Sequence, residues 1–528
     1  MRIGIPLLQS ELNSLSSWVA GFYYVRNCLH ALASLNPVEV PEVTVFVPKS
    51  FDDEVIYPEY THQTPWLSVI RVPEELLNEQ AYGERLQEFV DKHPVDIIFP
   101  MLVVPIVALK GRAIGWIPDY QHKHYPEFFD EQEISLREQL FDFLISYCDR
   151  IACSSAAVIG DLQRFYPVAQ NKGALLRFVS LLPERIYAQT PLATLERLGI
   201  REKYIYLPNQ FWIHKNHRCV FEAWKLLKDA GREYMLVCTG WSEDFRAPGY
   251  YQQLLDYITE HRLQHTIKLL GFIDRDDQVQ LYRGAAAVLQ PSLFEGWSTS
   301  IEDAKTLGKP MIVSNIAVHH EQAGEDALYF DKGSAEHLAT VVEAAWDQLS
   351  LGYNPTAEMI ARRDTTIRAQ AFGRALVSLF EQVGAGAIDD GAWNPQRMLP
   401  QIAGINRSLA AARAECAARL TVIEQLDAQA RELREQLAAS EADRAARLTV
   451  IERLDAEVTK LREQLAASGE QLKLSEADRL ARLEEIQMLQ QQLDASESDR
   501  VARMHVIRAQ QQLLDRPLIN VLRRMHFV

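Results

Sequence analysis

The stretch Gln290-Pro291-Ser292-Leu293-Phe294-Glu295-Gly296-Trp297-Ser298-Thr299-Ser300-Ile301-Glu302-Asp303-Ala304 decides the fold. It follows an apolar run, Ala287–Gln290, that reads as a buried strand, and it opens a helical pattern ending near Gly308-Lys309-Pro310. A strand that feeds a helix through a short turn sets backbone N–H groups and the positive end of the helix dipole at the carboxyl edge of a sheet, which favours a bound phosphate. Gly296 permits close approach. Two acids flank the turn, Glu295 before it and Asp303 further along the helix. Facing a cleft, both accept hydrogen bonds from sugar hydroxyls. The plainer reading is equally open: Thr299-x-x-Glu302 and Ser300-x-x-Asp303 each fit a capping box, in which the acid only ties off the helix start.

Outward from this turn the chain alternates strand and helix signals. Towards the N-terminus they predict strands at Arg2–Ile5, Val43–Val47, Val95–Phe99, Ala113–Ile117 and Arg150–Cys153. A second series begins at Tyr204 and runs through Met235–Thr239, Ile267–Leu270, Ala287–Gln290 and Met311–Ser314. The fold class is therefore α/β, with two Rossmann-like domains in tandem, residues 1–185 and 186–383, facing a cleft where ligands are expected. Close-set Gly384, Gly386 and Gly391 mark residues 384–404 as a linker.

Residues 405–515 change character, being rich in Ala, Leu, Glu, Gln and Arg. Apolar residues recur at alternating spacings of three and four, as in Ile423, Leu426, Ala430, Leu433, Leu437, then Ile451, Leu454, Val458, Leu461, Leu465, then Ile486, Leu489, Leu493. That is a coiled-coil seam. Ala-Ala-Arg-Leu-Thr-Val-Ile-Glu occurs at Ala417 and again at Ala445, a separation of 28 residues that preserves the heptad register. Ser440, Arg444 and Arg447 occupy seam positions that should be apolar, and they either weaken the coil or fix its register. A solitary exposed helix is the simpler alternative. The last segment, residues 516–528, is apolar and basic, and reads as a membrane-surface contact, a partner-binding segment or a frayed end.

Composition sets the outer limits. A chain of 528 residues exceeds one ordinary core, and its 48% hydrophobic and 24% charged content is that of a globular protein. A net charge of −16 argues against nucleic acid as a partner. The six cysteines show no zinc-like spacing, which fits a reducing compartment. The start, Met1-Arg2-Ile3-Gly4-Ile5, reads as a first strand rather than a leader, and the longest apolar run, Ile97 to Leu109, is broken by two prolines and too short to span a bilayer. The expected location is cytoplasmic, or peripheral on the inner face of the cytoplasmic membrane.

The turn resembles the donor-site signature of glycosyltransferase family 4, a retaining GT-B family. The pattern is a strand, Pro-Ser-x-Phe-Glu-Gly, a helix with an acid eight residues after the first, then Ala304, Gly308 and Pro310. The resemblance places Asp303 on the family's second glutamate, with Glu302 beside it as a substitute for part of its contact. Leu269-Leu270-Gly271-Phe272-Ile273 is similar to the segment that holds the nucleobase through main-chain groups. Pro208-Asn209-Gln210-Phe211-Trp212-Ile213-His214-Lys215 resembles the loop carrying an arginine and a lysine for the diphosphate. Lys215 falls on the lysine and Gln210 on the arginine, so one cation is missing, with His214 as partial compensation. Ser17 to Tyr24, with Gly21, is similar to the glycine-rich turn near the diphosphate. Ile117 to Pro126 sits where relatives place a histidine or aspartate beside the transferred sugar, which nominates Asp119 and His122, with His124 third.

The resemblance implies a retaining transfer of a hexose or deoxyhexose from a nucleoside-diphosphate sugar to a saccharide or lipid-linked saccharide, in bacterial surface polysaccharide (O-antigen, lipopolysaccharide or capsule) synthesis. Its implied catalytic residues are Lys215, Glu295, Asp119 and His122. The donor would be held by Gly21, Asn209, Gln210, His214, Lys215, Phe272, Ile273, Glu295, Gly296, Ser298, Thr299, Ser300, Glu302 and Asp303. No metal or other cofactor is expected; His122 and His124 lack a third ligand nearby in sequence. The coil is expected to form a homo-oligomer or to dock the enzyme to polysaccharide-assembly partners. Two rivals stay open: an inactive GT-B-like scaffold, and an epimerase or phosphorylase-like enzyme on the same frame.

Overall fold

A computed structural model describes residues 1–7, 19–49, 64–76, 92–101, 112–242, 249–350, 352–385 and 472–526, together with isolated positions at 89, 247, 436, 440, 443–444, 446–451 and 453–454. The expected turn at 8–18, residues 102–111, the expected linker from 386 to 404 and the expected coil residues 405–435 and 455–471 lie outside the described residues. The chain divides into two compact units, Met1–Glu415 with Ile519–Val528, and Cys416–Leu518.

The first unit holds two sheets, and every strand pairing in them is parallel. The first comprises β1 (Arg2–Pro6), β2 (Glu42–Pro48), β3 (Leu67–Val72), β4 (Ile97–Met101), β5 (Arg112–Trp116), β6 (Arg150–Cys153) and β7 (Gly173–Leu175), in the order β3-β2-β1-β4-β5-β6-β7. The second comprises β8 (Tyr204–Leu207), β9 (Met235–Cys238), β10 (Ile267–Leu269), β11 (Ala287–Gln290), β12 (Met311–Ser314) and β13 (Leu328–Phe330), in the order β10-β9-β8-β11-β12-β13. These are doubly wound sheets, whose crossover helices cover both faces.

The central strands are continuous buried apolar runs because both faces are covered; β8, β11 and β12 are buried at every position. Three strands lie outside the sequence expectation. β3 is an edge strand with a half-buried pattern, while β7 and β13 are edge strands of only three residues. Such short edges carry too little pattern to stand out from loop. β4 begins two residues later than predicted, at Ile97, because Val95 and Asp96 lead into the strand; Asp96 instead pairs with Arg2 at 2.7 Å.

The long helix Pro355–Ala385 starts with proline at a position that needs no N–H partner. Its Phe372, Leu376, Leu379, Phe380 and Val383 enter the core of the first sheet. It crosses the helix Val19–Ala33 at Gly373, where a Cβ would lie 2.5 Å from the Ala31 carbonyl oxygen. The helix therefore ties the end of the second α/β series to the first sheet.

The part of the helix Leu472–His526 that belongs to the second unit shows a stripe of half-buried positions at 482, 486, 489, 493, 496, 500 and 503, ending on buried Ile507. These positions are spaced alternately by four and three residues. Ser440 Oγ lies 3.5 Å from Ser496 Oγ, and Arg444 pairs with Glu497 at 2.5 Å. These two polar seam residues thus meet the long helix of their own chain. Among the described residues, no helix is long and apolar enough to cross a membrane.

Candidate active site

In a doubly wound sheet, ligands bind where the strand order reverses, outside the carboxyl ends of the strands. In the second sheet that point lies between β8 and β11. The loop after β8 carries Asn209 to Lys215, and the turn after β11 carries Glu295 to Ser298. Topology alone therefore brings together the two segments that the sequence singled out.

The side chains complete the convergence. Lys215 Nζ lies 2.5 Å from Glu295 Oε1, with both side chains nearly buried. Gln290, the last residue of β11, donates to Glu295 Oε1 at 3.0 Å and to Ser298 Oγ at 2.8 Å, and accepts from buried Asn209 Nδ2. Ser300 Oγ reaches the Pro208 carbonyl at 3.3 Å and Asn209 Oδ1 at 3.4 Å. A network of side-chain amides, hydroxyls and one ion pair thus binds the β8 loop to the head of the helix Thr299–Thr306.

That helix is capped by Ser298, whose hydroxyl accepts from the Ile301 N–H at 3.4 Å. The capping-box alternative is not realised, because Glu302 and Asp303 point elsewhere. Glu302 is buried among Arg368 at 2.6 Å, Gln322 at 3.0 Å and Lys305 at 3.7 Å, and lines a cavity with Phe178 and Trp297. Asp303 accepts from Ser180 Oγ at 2.5 Å and takes both Nη atoms of Arg275, at 2.8 and 2.6 Å. With its side chain 2% exposed, Asp303 offers no free edge to a ribose in this state. The amides of Thr299 and Ser300, as first residues of the helix, have no intrahelical partner and form its anion-attracting end.

The remaining donor-side residues divide by location. Gln210 Oε1 accepts from the Trp241 N–H at 2.7 Å, which fixes the loop and spends its acceptor. His214 is buried, and its carbonyl accepts from the Leu293 N–H at 2.8 Å. Phe272 is 47% exposed, with its ring edge-on to Trp241 at 5.3 Å, a platform at the end of β10; Ile273 packs into the core behind it. Burial lowers the pKa of His319, which donates to or accepts from Ser314 behind Glu295, to about 4, leaving that ring neutral.

The first sheet contributes the facing wall. Gly296 packs so closely on it that a Cβ would sit 2.0 Å from the Pro118 carbonyl oxygen and 2.9 Å from Asp119 Cβ. Asp119 is thereby at the turn, with its Oδ1 accepting from the Gln121 N–H at 2.9 Å. Gly21 is buried within the first turn of the helix Val19–Ala33, so the described part of the expected turn is helical.

The side chain of His122 is fully buried, with Nε2 2.8 Å from Glu138 and its ring against Phe129 and Phe141. Burial lowers its pKa, against the opposing pull of Glu138. His124 lies at the cleft, with its ring 5.0 Å from Phe294 and Nε2 2.9 Å from Asp161. The two rings have different neighbours because residues two apart on the short helix Gln121–His124 face different directions. Sequence reasoning also missed Arg275, Gln290 and Ser180. Only an arginine opening a helix just after the loop at Phe272 was visible as a signal.

Two facing Rossmann-like sheets with the ligand edge between them define the GT-B class of protein. Residues 196–350 match the family model Glycosyl transferases group 1. It is similar to O-antigen chain mannosyltransferase B of Escherichia coli, 27% identical over 26% of this chain and 36% of the relative. It is also similar to O-antigen chain mannosyltransferase RfbU of Salmonella typhimurium, 22% identical over 51% of this chain and 70% of the relative. The first of these matches therefore spans little more than a third of the relative's length. Among solved structures, Anabaena Alr3699/HepE in complex with UDP aligns over 72% of this chain and all of its own, with a TM-score of 0.51 and 16% identity, a likeness of fold.

Proposed function

We propose that the whole chain is a retaining glycosyltransferase that moves a hexose or deoxyhexose from a nucleoside-diphosphate sugar to a saccharide or lipid-linked saccharide, in O-antigen or other surface lipopolysaccharide synthesis. The observation that carries the reading is the Lys215–Glu295 pair beside the head of the helix Thr299–Thr306, at the switch point of the second sheet. The two mannosyltransferase relatives support a saccharide-building role.

The barrier to transfer lies in breaking the bond between sugar and phosphate. Catalysis at such a site comes mainly from fixed positive charge and N–H donors aimed at the departing diphosphate. Lys215 and the amides of Thr299 and Ser300 supply them. In the resting state Glu295 neutralises Lys215. An arriving diphosphate competes for the ammonium, and the freed carboxylate, still held by Gln290, turns to a sugar hydroxyl. Asp119, against Gly296, faces the same space from the opposite wall. No step in this account uses a metal or a covalent nucleophile; leaving and attacking groups share one face of an oxocarbenium-like centre, which preserves the anomeric configuration.

The test is a screen of UDP-, GDP- and dTDP-sugars with mannose-containing oligosaccharide acceptors, with the product anomer read by NMR. Transfer with retention supports the proposal, and transfer with inversion refutes its stereochemical half. The scaffold reading draws on the full occupation of Asp303 by Ser180 and Arg275. It predicts nucleotide-dependent thermal stabilisation with no sugar released from any donor.

A further inference from the structure

We propose that Arg275 is the second cation of the donor site, contacting the diphosphate in place of the cation missing at Gln210. This deepens the glycosyltransferase reading and rests on it. A nucleoside diphosphate brings at least two negative charges, whereas Lys215 offers one positive charge that is already shared with Glu295 at 2.5 Å. Gln210 adds no charge, and its acceptor is committed to the Trp241 N–H.

Arg275 opens the helix Arg275–Gly284, directly after the loop at Phe272. Its guanidinium is fixed from below by the two oxygens of Asp303 and by Gln278 Oε1 at 2.7 Å. Asp303 stands one turn inside the helix whose head faces Lys215, and Ser180 holds that carboxylate from the first sheet's side. Above the guanidinium lies the ring of Tyr23, at 5.7 Å, from the helix that also carries Gly21. Arg275 therefore sits between the two helices whose first turns face the cleft.

Its donors are not exhausted. Two Nη1 bonds and one Nη2 bond are made, which leaves the Nε–H and one Nη2 hydrogen without a partner among the described residues. The side chain is 25% exposed while its anchor Asp303 is 2% exposed. A buried carboxylate that holds a partly exposed arginine side chain in one orientation, with guanidinium hydrogens to spare, is an arrangement for recognising phosphate oxygens, which match the planar fork. On this view Asp303 acts through Arg275 as a positioning residue, and does not itself hold the ribose.

Calorimetric titration of the full-length protein with GDP, UDP, guanosine and uridine tests the inference. For R275Q, affinity for whichever diphosphate the wild type binds falls about ten- to a hundredfold, the range for a hydrogen bond to a charged group, while affinity for the matching nucleoside stays within twofold. R275K keeps the charge and recovers part of the diphosphate affinity. Unchanged diphosphate binding by R275Q, an equal loss for nucleoside and diphosphate, or R275K binding no better than R275Q overturns the assignment. Failure of the wild type to bind either diphosphate refutes the underlying donor-site reading instead. A ligand-free melting temperature for R275Q equal to wild type shows that the loss is not unfolding.

Discussion

Replacing Gly296 by alanine adds one methyl group where the loop after β11 packs on Pro118 and Asp119 of the first sheet's side. Its carbon would stand 2.0 Å from the Pro118 carbonyl oxygen. Carbon and oxygen settle no nearer than about 3.3 Å, so the loops must part by roughly 1.3 Å. The obstacle is backbone, and no rotamer change relieves it. Overpacking of this kind costs about 1–3 kcal/mol, which lowers the melting temperature by a few degrees. The larger effect is on geometry, because a misplacement of about 1 Å at an active site costs on the order of a hundredfold in rate. Since Asp119 and Glu295 flank the contact, the loss should appear in kcat, with the diphosphate affinity of the second sheet nearly unchanged. The assay is release of nucleoside diphosphate from the identified donor, alongside titration with the diphosphate alone. A G296A enzyme with kcat within twofold of wild type would show that these loops do not meet during turnover, and the facing-wall role of Asp119 would fall.

Two further predictions concern stability and the helical unit. Burial lowers the pKa of His30 and His217 to about 3 and that of His319 to about 4, from an ordinary 6.5. The unfolded chain then binds more protons than the folded one between these values. Stability is complete above pH 6.5 and falls as pH drops towards 3, by up to about 1.4 kcal/mol per pH unit for each histidine; a melting temperature flat between pH 7 and 5 would contradict this. In the C-terminal unit, the double variant S440C/S496C should oxidise to an intrachain cross-link that runs as a monomer on non-reducing gels, since Ser440 and Ser496 meet within one chain. Exclusively dimer-sized product would refute that pairing.

The central parallel strands were legible because burial on both faces writes an uninterrupted apolar run, as in Tyr204–Leu207 and Met311–Ser314. Edge strands were not, since Leu328–Phe330 is half in solvent and three residues long. At the candidate site, the strand, turn and helix around Glu295-Gly296 could be read from the sequence, because they depend on local backbone geometry. Asp303 was visible as an acid, but its use was not. Its partners Ser180 and Arg275 lie 123 and 28 residues away, a tertiary fact without a local signature. His122 and His124 illustrate the same limit at short range: the sequence ranks His122 ahead of His124, and only the four-residue helix Gln121–His124 shows that their rings point to different neighbours, Glu138 and Phe294. The polar seam residues Ser440 and Arg444 gain a physical reason only once Ser496 and Glu497 stand opposite.

In the proposed function, Lys215, held by Glu295 beside the head of the helix Thr299–Thr306, stabilises a departing diphosphate. The most direct measurement of that role is the rate of nucleoside-diphosphate release from a panel of nucleotide sugars by wild type and K215A, each with an unchanged melting temperature. The account predicts turnover of at least one donor by wild type and a loss of on the order of a hundredfold or more in K215A, as for removal of one preorganised charge-stabilising group. Equal rates in the two proteins would contradict it.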